Sequence, residues 1–267
     1  MKNVDVLIFG GQSNMQGQSD CLSESEAVTG AFEYRYTSNS LVPLRNPVGE
    51  DITYESYRLG YPILQGGNAP AWREAHVLGS ACYGHTNLVP AFCRAYLAEK
   101  QGEVIAVHAA KGSTQIHDWL PGTPGFDALI KKARAAIEKA KNTYTVGKIY
   151  FSWLQGESDA IFSVSRETYK ERLLILNDAL KKELGIDVFG IIRVGRFVND
   201  ARDDEIINAQ TEICRERSDF LMLTDMATEF NQSPAHMNPH VGGHYSAYGL
   251  EELGRLSGKT LGKYALK

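Results

Sequence analysis

What most limits the fold of this chain is an alternation of two patterns. Short, nearly continuous apolar runs rich in branched residues occupy 4–9, 104–109, 148–154, 188–194 and 220–223. A run that is apolar at every position, rather than at every second one, predicts a strand covered on both faces, as in a parallel sheet. Between these runs the apolar residues take helical spacing, at 88–100, 127–141, 166–183, 203–217 and 250–263. In the third of these, Tyr169, Leu173, Leu176 and Leu180 share one face. Repeated strand–helix–strand order requires right-handed crossovers and helices on both sides of the sheet. The expectation is therefore an α/β fold.

One stretch breaks the pattern. Residues 18–85 are rich in Gly, Pro, Ser and Tyr and show few helical periods. They read as a long insertion after the first strand, with a short strand near 32–36, inside a single domain spanning 1–267. Loops of this length are uncommon unless they serve function.

Bulk properties remove several classes of protein. A chain of 267 residues suits one large α/β domain, and 43% hydrophobic with 22% charged residues is a globular balance. The net charge of −4 offers no basic field for nucleic acid. No apolar run approaches the roughly 20 residues that span a bilayer. The apolar stretch at 4–9 is also shorter than the roughly 7–15 residues of a secretory signal. The chain as given is thus expected to be cytoplasmic. Cys21, Cys82, Cys93 and Cys214 match no C-x-x-C spacing and read as reduced thiols.

In open α/β sheets the chemistry lies beyond the carboxyl ends of the strands. The first strand runs into Gly10-Gly11-Gln12-Ser13-Asn14-Met15. A serine on a tight glycine turn can aim its hydroxyl and its own N–H into one cleft, as a nucleophile with an oxyanion donor requires. The same serine can equally serve as a helix cap. The second strand is followed by Lys111-Gly112, where a glycine can present an unobstructed N–H. The third is followed by Gln155-Gly156-Glu157-Ser158-Asp159. There Gln155 can donate to an oxyanion, and Glu157 or Asp159 can orient a histidine. Near the end, His236, His240 and His244 recur at intervals of four. A zinc face would need one continuous helix through them, and Pro239 with Gly242-Gly243 opposes it.

Gly11-Gln12-Ser13-Asn14-Met15 together with Gln155-Gly156-Glu157-Ser158-Asp159 resembles the carbohydrate-esterase branch of the SGNH hydrolases. That branch holds family 6 acetylxylan esterases and sialate O-acetylesterase-like proteins. The loop at Gly112 and the His244-Tyr245-Ser246 segment support the likeness, which runs over essentially the whole chain. The resemblance implies a three-layer α/β/α flavodoxin-like fold with a five-stranded parallel core. It implies Ser13 as nucleophile, His244 as general base, and an oxyanion hole from the N–H groups of Ser13 and Gly112 and the side chain of Gln155. It implies no metal and no organic cofactor. Many SGNH enzymes place an aspartate three residues before the histidine, whereas this chain has Val241. The third member is then Glu157, with Asp159 and Asp225 as lesser candidates, or the pair works as a Ser–His dyad.

The expected activity is removal of acetyl groups from a small acetylated carbohydrate, as in acetylxylan esterases, with no nucleic-acid or membrane partner. Gln12, Asn14 and Trp119 are candidate substrate contacts, with Tyr54, Tyr57 and Trp72 as further stacking aromatics. Sialate O-acetylesterase, another small-ester hydrolase and a catalytically inactive carbohydrate-binding protein are the competing readings.

Overall fold

The computed structural model of the chain describes residues 1–21, 26–36, 38–49 and 86–267. Tyr54, Tyr57, Trp72 and Cys82 lie outside the described residues, as does much of the stretch read as an insertion. Within the described residues seven strands form one sheet. They are β1 (Asn3–Gly11), β2 (Ala31–Arg35), β3 (Ser40–Pro43), β4 (Glu103–Ala110), β5 (Thr145–Leu154), β6 (Val188–Ile192) and β7 (Phe220–Thr224), in the order β3-β2-β4-β1-β5-β6-β7.

All five strands expected from the apolar runs are present and mutually parallel. The sheet is nevertheless wider than the five-stranded core expected. β2 adds in parallel to β4, and β3 folds back antiparallel on β2. Part of the stretch read as an insertion therefore belongs to the sheet. β1 is buried from Val4 onward, which accounts for its unbroken apolar run.

The helices are α1 (Ser13–Gln16), α2 (Val89–Glu99), α3 (Pro124–Lys141), α4 (Glu157–Ile161), α5 (Arg166–Leu184), α6 (Ala201–Glu216), α7 (Ala227–Phe230) and α8 (Ala247–Tyr264). Thr123, Ser165, Asp200 and Ser246 cap α3, α5, α6 and α8 by accepting backbone N–H groups. One layer pairs α2 with α8, and the other sets α3, α5 and α6 side by side. The α2–α8 contact is close because Gly254 and Gly258 face α2. A Cβ at either would come 2.3 Å from the Leu88 carbonyl oxygen or 2.0 Å from that of Phe92.

The chain enters at the middle of the sheet, forms β2 and β3 at one edge, returns through β4 beside β1, then crosses to β5, β6 and β7 on the other side. The direction of winding reverses at β1. A crevice opens beyond the carboxyl ends at such a switch point, and it is there that the motifs converge.

Candidate active site

Gly11 closes β1 with φ +145°, and a side chain there would meet the Leu154 carbonyl oxygen at 2.1 Å. Only glycine fits this close approach of β1 to the end of β5. Gln12 N–H donates to that same Leu154 oxygen at 3.1 Å. Ser13 then opens the single-turn helix α1 and is buried at 4% exposure.

Gln12 and Asn14, both expected to touch substrate, face inward instead. Gln12 Oε1 accepts from Gln155 Nε2 at 3.1 Å, Gly156 N at 3.3 Å and Ser158 N at 3.1 Å. Asn14 Nδ2 donates to Glu157 Oε1 at 2.8 Å and to the Gly243 carbonyl at 3.3 Å, while its Oδ1 accepts from Tyr245 N at 3.2 Å. Asn14 thus grips the backbone on both sides of His244 and holds that residue against the Ser13 turn.

Gln155 is fully buried. Its Nε2 is shared among Gln12 Oε1, the Thr114 carbonyl at 2.9 Å and Asp159 Oδ2 at 2.6 Å, and its Oε1 accepts from Tyr169 at 3.0 Å. An amide so committed braces the site and has no N–H left to aim at an oxyanion. Asp159 Oδ2 also accepts from Ile116 N at 2.9 Å, tying the β5 loop to the β4 loop that carries Gly112. Burial raises the Asp159 carboxyl to about 6. Gly112 stands beside Ser13, since a Cβ placed on it would lie 3.7 Å from Ser13 Cβ.

His244 is 8% exposed. Its Nδ1 lies 2.9 Å from the Gly242 carbonyl, which puts the proton on Nδ1 and leaves Nε2 as the basic nitrogen. The ring packs edge-on against Phe197 at 5.7 Å. Burial pulls its pKa below the ordinary histidine value, and the Gly242 contact opposes that only in part. The structure does not join Glu157 to His244. Glu157 Oε1 is taken by Asn14, and its Oε2 is buried without a hydrogen-bond partner. Burial raises the Glu157 carboxyl. The acceptor at Nδ1 is a backbone carbonyl, which no side-chain motif could have signalled.

Trp119, expected to stack on a sugar, is 2% exposed, donates to Thr114 Oγ1 at 3.0 Å and packs edge-on against Trp153. Its ring belongs to the core. His236 is stacked on Phe230, with its Nδ1 2.8 Å from Ser233 Oγ. Asp225 stands near Arg193 at 3.9 Å. Sequence reasoning missed Phe197, held by Asp203 Oδ1 accepting its backbone N–H at 3.1 Å, and Gln16, whose Oε1 accepts the Gly112 N–H at 2.8 Å. Gln16 stands three residues beyond Ser13, a helical spacing that puts both on one side of α1.

A mostly parallel sheet flanked by two helical layers, with a serine turn after its central strand and a histidine loop before its last helix, is the SGNH-hydrolase type of fold. The sequence matches the family model described as "Carbohydrate esterase, sialic acid-specific acetylesterase" over residues 3–255, and the chain belongs to that family. No curated protein matches by direct comparison of sequence. Among solved structures, a protein from Arabidopsis thaliana superposes with a TM-score of 0.67 at 15% identity, covering 97% of this chain and 98% of that one. A lipase/acylhydrolase from Enterococcus faecalis gives 0.53 at 15% identity, covering 99% and 97%. The carbohydrate acetylesterase XAC1771 from Xanthomonas citri gives 0.53 at 14% identity, covering 97% of this chain and 57% of that one. At these identities the likeness speaks for the fold. No helix among the described residues is long and apolar enough to cross a membrane.

Proposed function

We propose that the chain is a serine O-acetylesterase acting on a small acetylated carbohydrate, with Ser13 as nucleophile and His244 as general base. The observation that carries this reading is the grip of Asn14 on the backbone at Gly243 and Tyr245, which couples the serine turn to the histidine loop.

His244 Nε2 takes the hydroxyl proton as Ser13 Oγ attacks the ester carbonyl carbon. The Gly242 carbonyl fixes the tautomer, and the pair works as a dyad without a carboxylate at Nδ1. Glu157 acts at one remove, by holding Asn14. The tetrahedral oxyanion is received by the N–H groups of Ser13 and Gly112, with Gln155 holding the surrounding loops in place. The imidazolium returns its proton to the departing sugar oxygen. Water then attacks the acyl-enzyme and acetate leaves.

The family description favours O-acetylated sialic acid over acetylated xylan. The test is hydrolysis of p-nitrophenyl acetate by wild type, Ser13→Ala and His244→Ala, followed by a screen of O-acetyl sialic acids and acetylated xylan oligosaccharides. Loss of turnover in both variants is expected. Undiminished turnover in Ser13→Ala removes the serine mechanism, and an inert wild type revives the binding-protein reading.

A further inference from the structure

In α1 the side chain of Gln16 reaches the N–H group assigned above to the oxyanion. Gly112 N–H donates to Gln16 Oε1 at 2.8 Å. The contact is shielded from bulk water, since Gln16 is 7% exposed. The surroundings of Gly112 leave little slack. A Cβ there would come 2.9 Å from Gln16 Oε1, 2.9 Å from Gln18 Nε2 and 3.7 Å from Ser13 Cβ. A neutral carbonyl oxygen thus already occupies the N–H beside the nucleophile, in the manner of a substrate carbonyl.

We propose that Gln16 is a positioning residue that fills the oxyanion site of the resting enzyme and yields it only to a charged oxygen. This rests on the reading of Ser13 and Gly112 given above. A neutral ester oxygen gains little by displacing an amide oxygen, because one neutral acceptor replaces another. The oxyanion formed when Ser13 attacks is a charged acceptor, and such hydrogen bonds are roughly twice as strong. The exchange therefore occurs as charge develops. The Gly112 N–H is withheld from the bound ester and given to the transition state, so Gln16 weakens binding of the ester while leaving the step from bound ester to transition state nearly unchanged.

The test is steady-state hydrolysis of p-nitrophenyl acetate by Gln16→Met, which keeps the length of the side chain and removes the acceptor. Gln16→Asn is the second variant, since its shorter arm withdraws the oxygen from Gly112 while keeping the residue polar. Thermal melts establish the folded fraction of each, and rates are referred to folded protein. With the N–H freed, the ester carbonyl binds it directly, and KM falls about three- to tenfold, as expected for one neutral hydrogen bond. The value of kcat stays within about twofold of wild type, because the gain is shared by substrate and transition state. An unchanged KM in both variants overturns the proposal. So does a kcat lowered tenfold or more, which would mean that Gln16 holds Gly112 in place for catalysis. Ser13→Ala is assayed alongside. If it retains turnover, the esterase mechanism itself fails; if it is inactive while the Gln16 variants match wild type, only the role of Gln16 fails.

Discussion

Asn14 donates its carboxamide N–H to the buried carboxylate of Glu157 at 2.8 Å, and no other side chain in the site contacts both that carboxylate and the backbone around His244 among the described residues. Truncation to alanine leaves Glu157 without this donor and frees the histidine loop. Asn14→Ala should cost about 1–3 kcal/mol of stability, the penalty for stranding a buried polar group. It should also lower kcat at least tenfold. Urea denaturation and steady-state kinetics measure the two effects. A normal kcat would show that His244 is held without Asn14.

The pH profile should report the burial of His244. The base works when neutral, and burial lowers its pKa below the usual 6.5. The acid limb of kcat/KM should therefore turn over below pH 6.5, extending activity to more acidic solution than a water-exposed histidine would allow. Phe197→Ala removes the ring packed against the imidazole. It should move the inflection back toward the ordinary value, and an inflection unmoved in that variant would assign the depression to other neighbours.

Supplying the aspartate found three residues before the histidine in many SGNH enzymes should help little. The Nδ1 proton of His244 already has the Gly242 carbonyl at 2.9 Å. Val241→Asp is expected to change kcat/KM by no more than about threefold, near the roughly 0.5 kcal/mol of an ordinary surface substitution. A gain of a hundredfold would mean that the dyad lacks a carboxylate it needs.

His108 provides a stability prediction away from the chemistry. It is buried on β4, with Nε2 3.0 Å from the Met15 carbonyl in α1, and burial lowers its pKa from 6.5 to about 4. Between those values the unfolded chain binds the proton and the folded chain does not. The wild type therefore loses stability from this group as pH falls from 6.5 toward about 4. His108→Gln has no such proton to bind. Its deficit relative to wild type should shrink between pH 7 and pH 4.5, as read from urea midpoints at both values; a deficit that grows would contradict the assignment.

The five apolar runs and five helical periods were legible because burial on two faces or on one stripe leaves a repeat in the sequence. β2 matches the short strand expected near 32–36, though its place in the main sheet was not legible, and β3 was harder to read because it is short and half exposed at the sheet edge. In the site, the serine turn, the Gly112 loop and the Gln155–Asp159 cluster could be placed by strand ends and resemblance. Their partners could not. Gln155 and Gln12 offer amides that suit a substrate as well as each other, and only three dimensions show that each is spent on the other. Trp119 failed for a similar reason, since an isolated aromatic in a loop carries no period that separates core from surface.

The three N–H groups converging on Gln12 Oε1 have a consequence for how this chain can change. The serine turn and the loop after β5 share one acceptor, so neither can be redrawn alone. Replacing Gln12 takes this acceptor from two backbone N–H groups at once, while Gln155 keeps Thr114 and Asp159, and replacing Gln155 unsettles the acceptor that the other two still need. Substitutions at these two positions should be strongly non-additive, with the double variant far less impaired than the separate losses would suggest. New substrate preferences would then arise on the His244 side of the crevice, where Val241 and Gly242 are held mainly through their backbone, while the floor beneath Ser13 stays fixed across such changes.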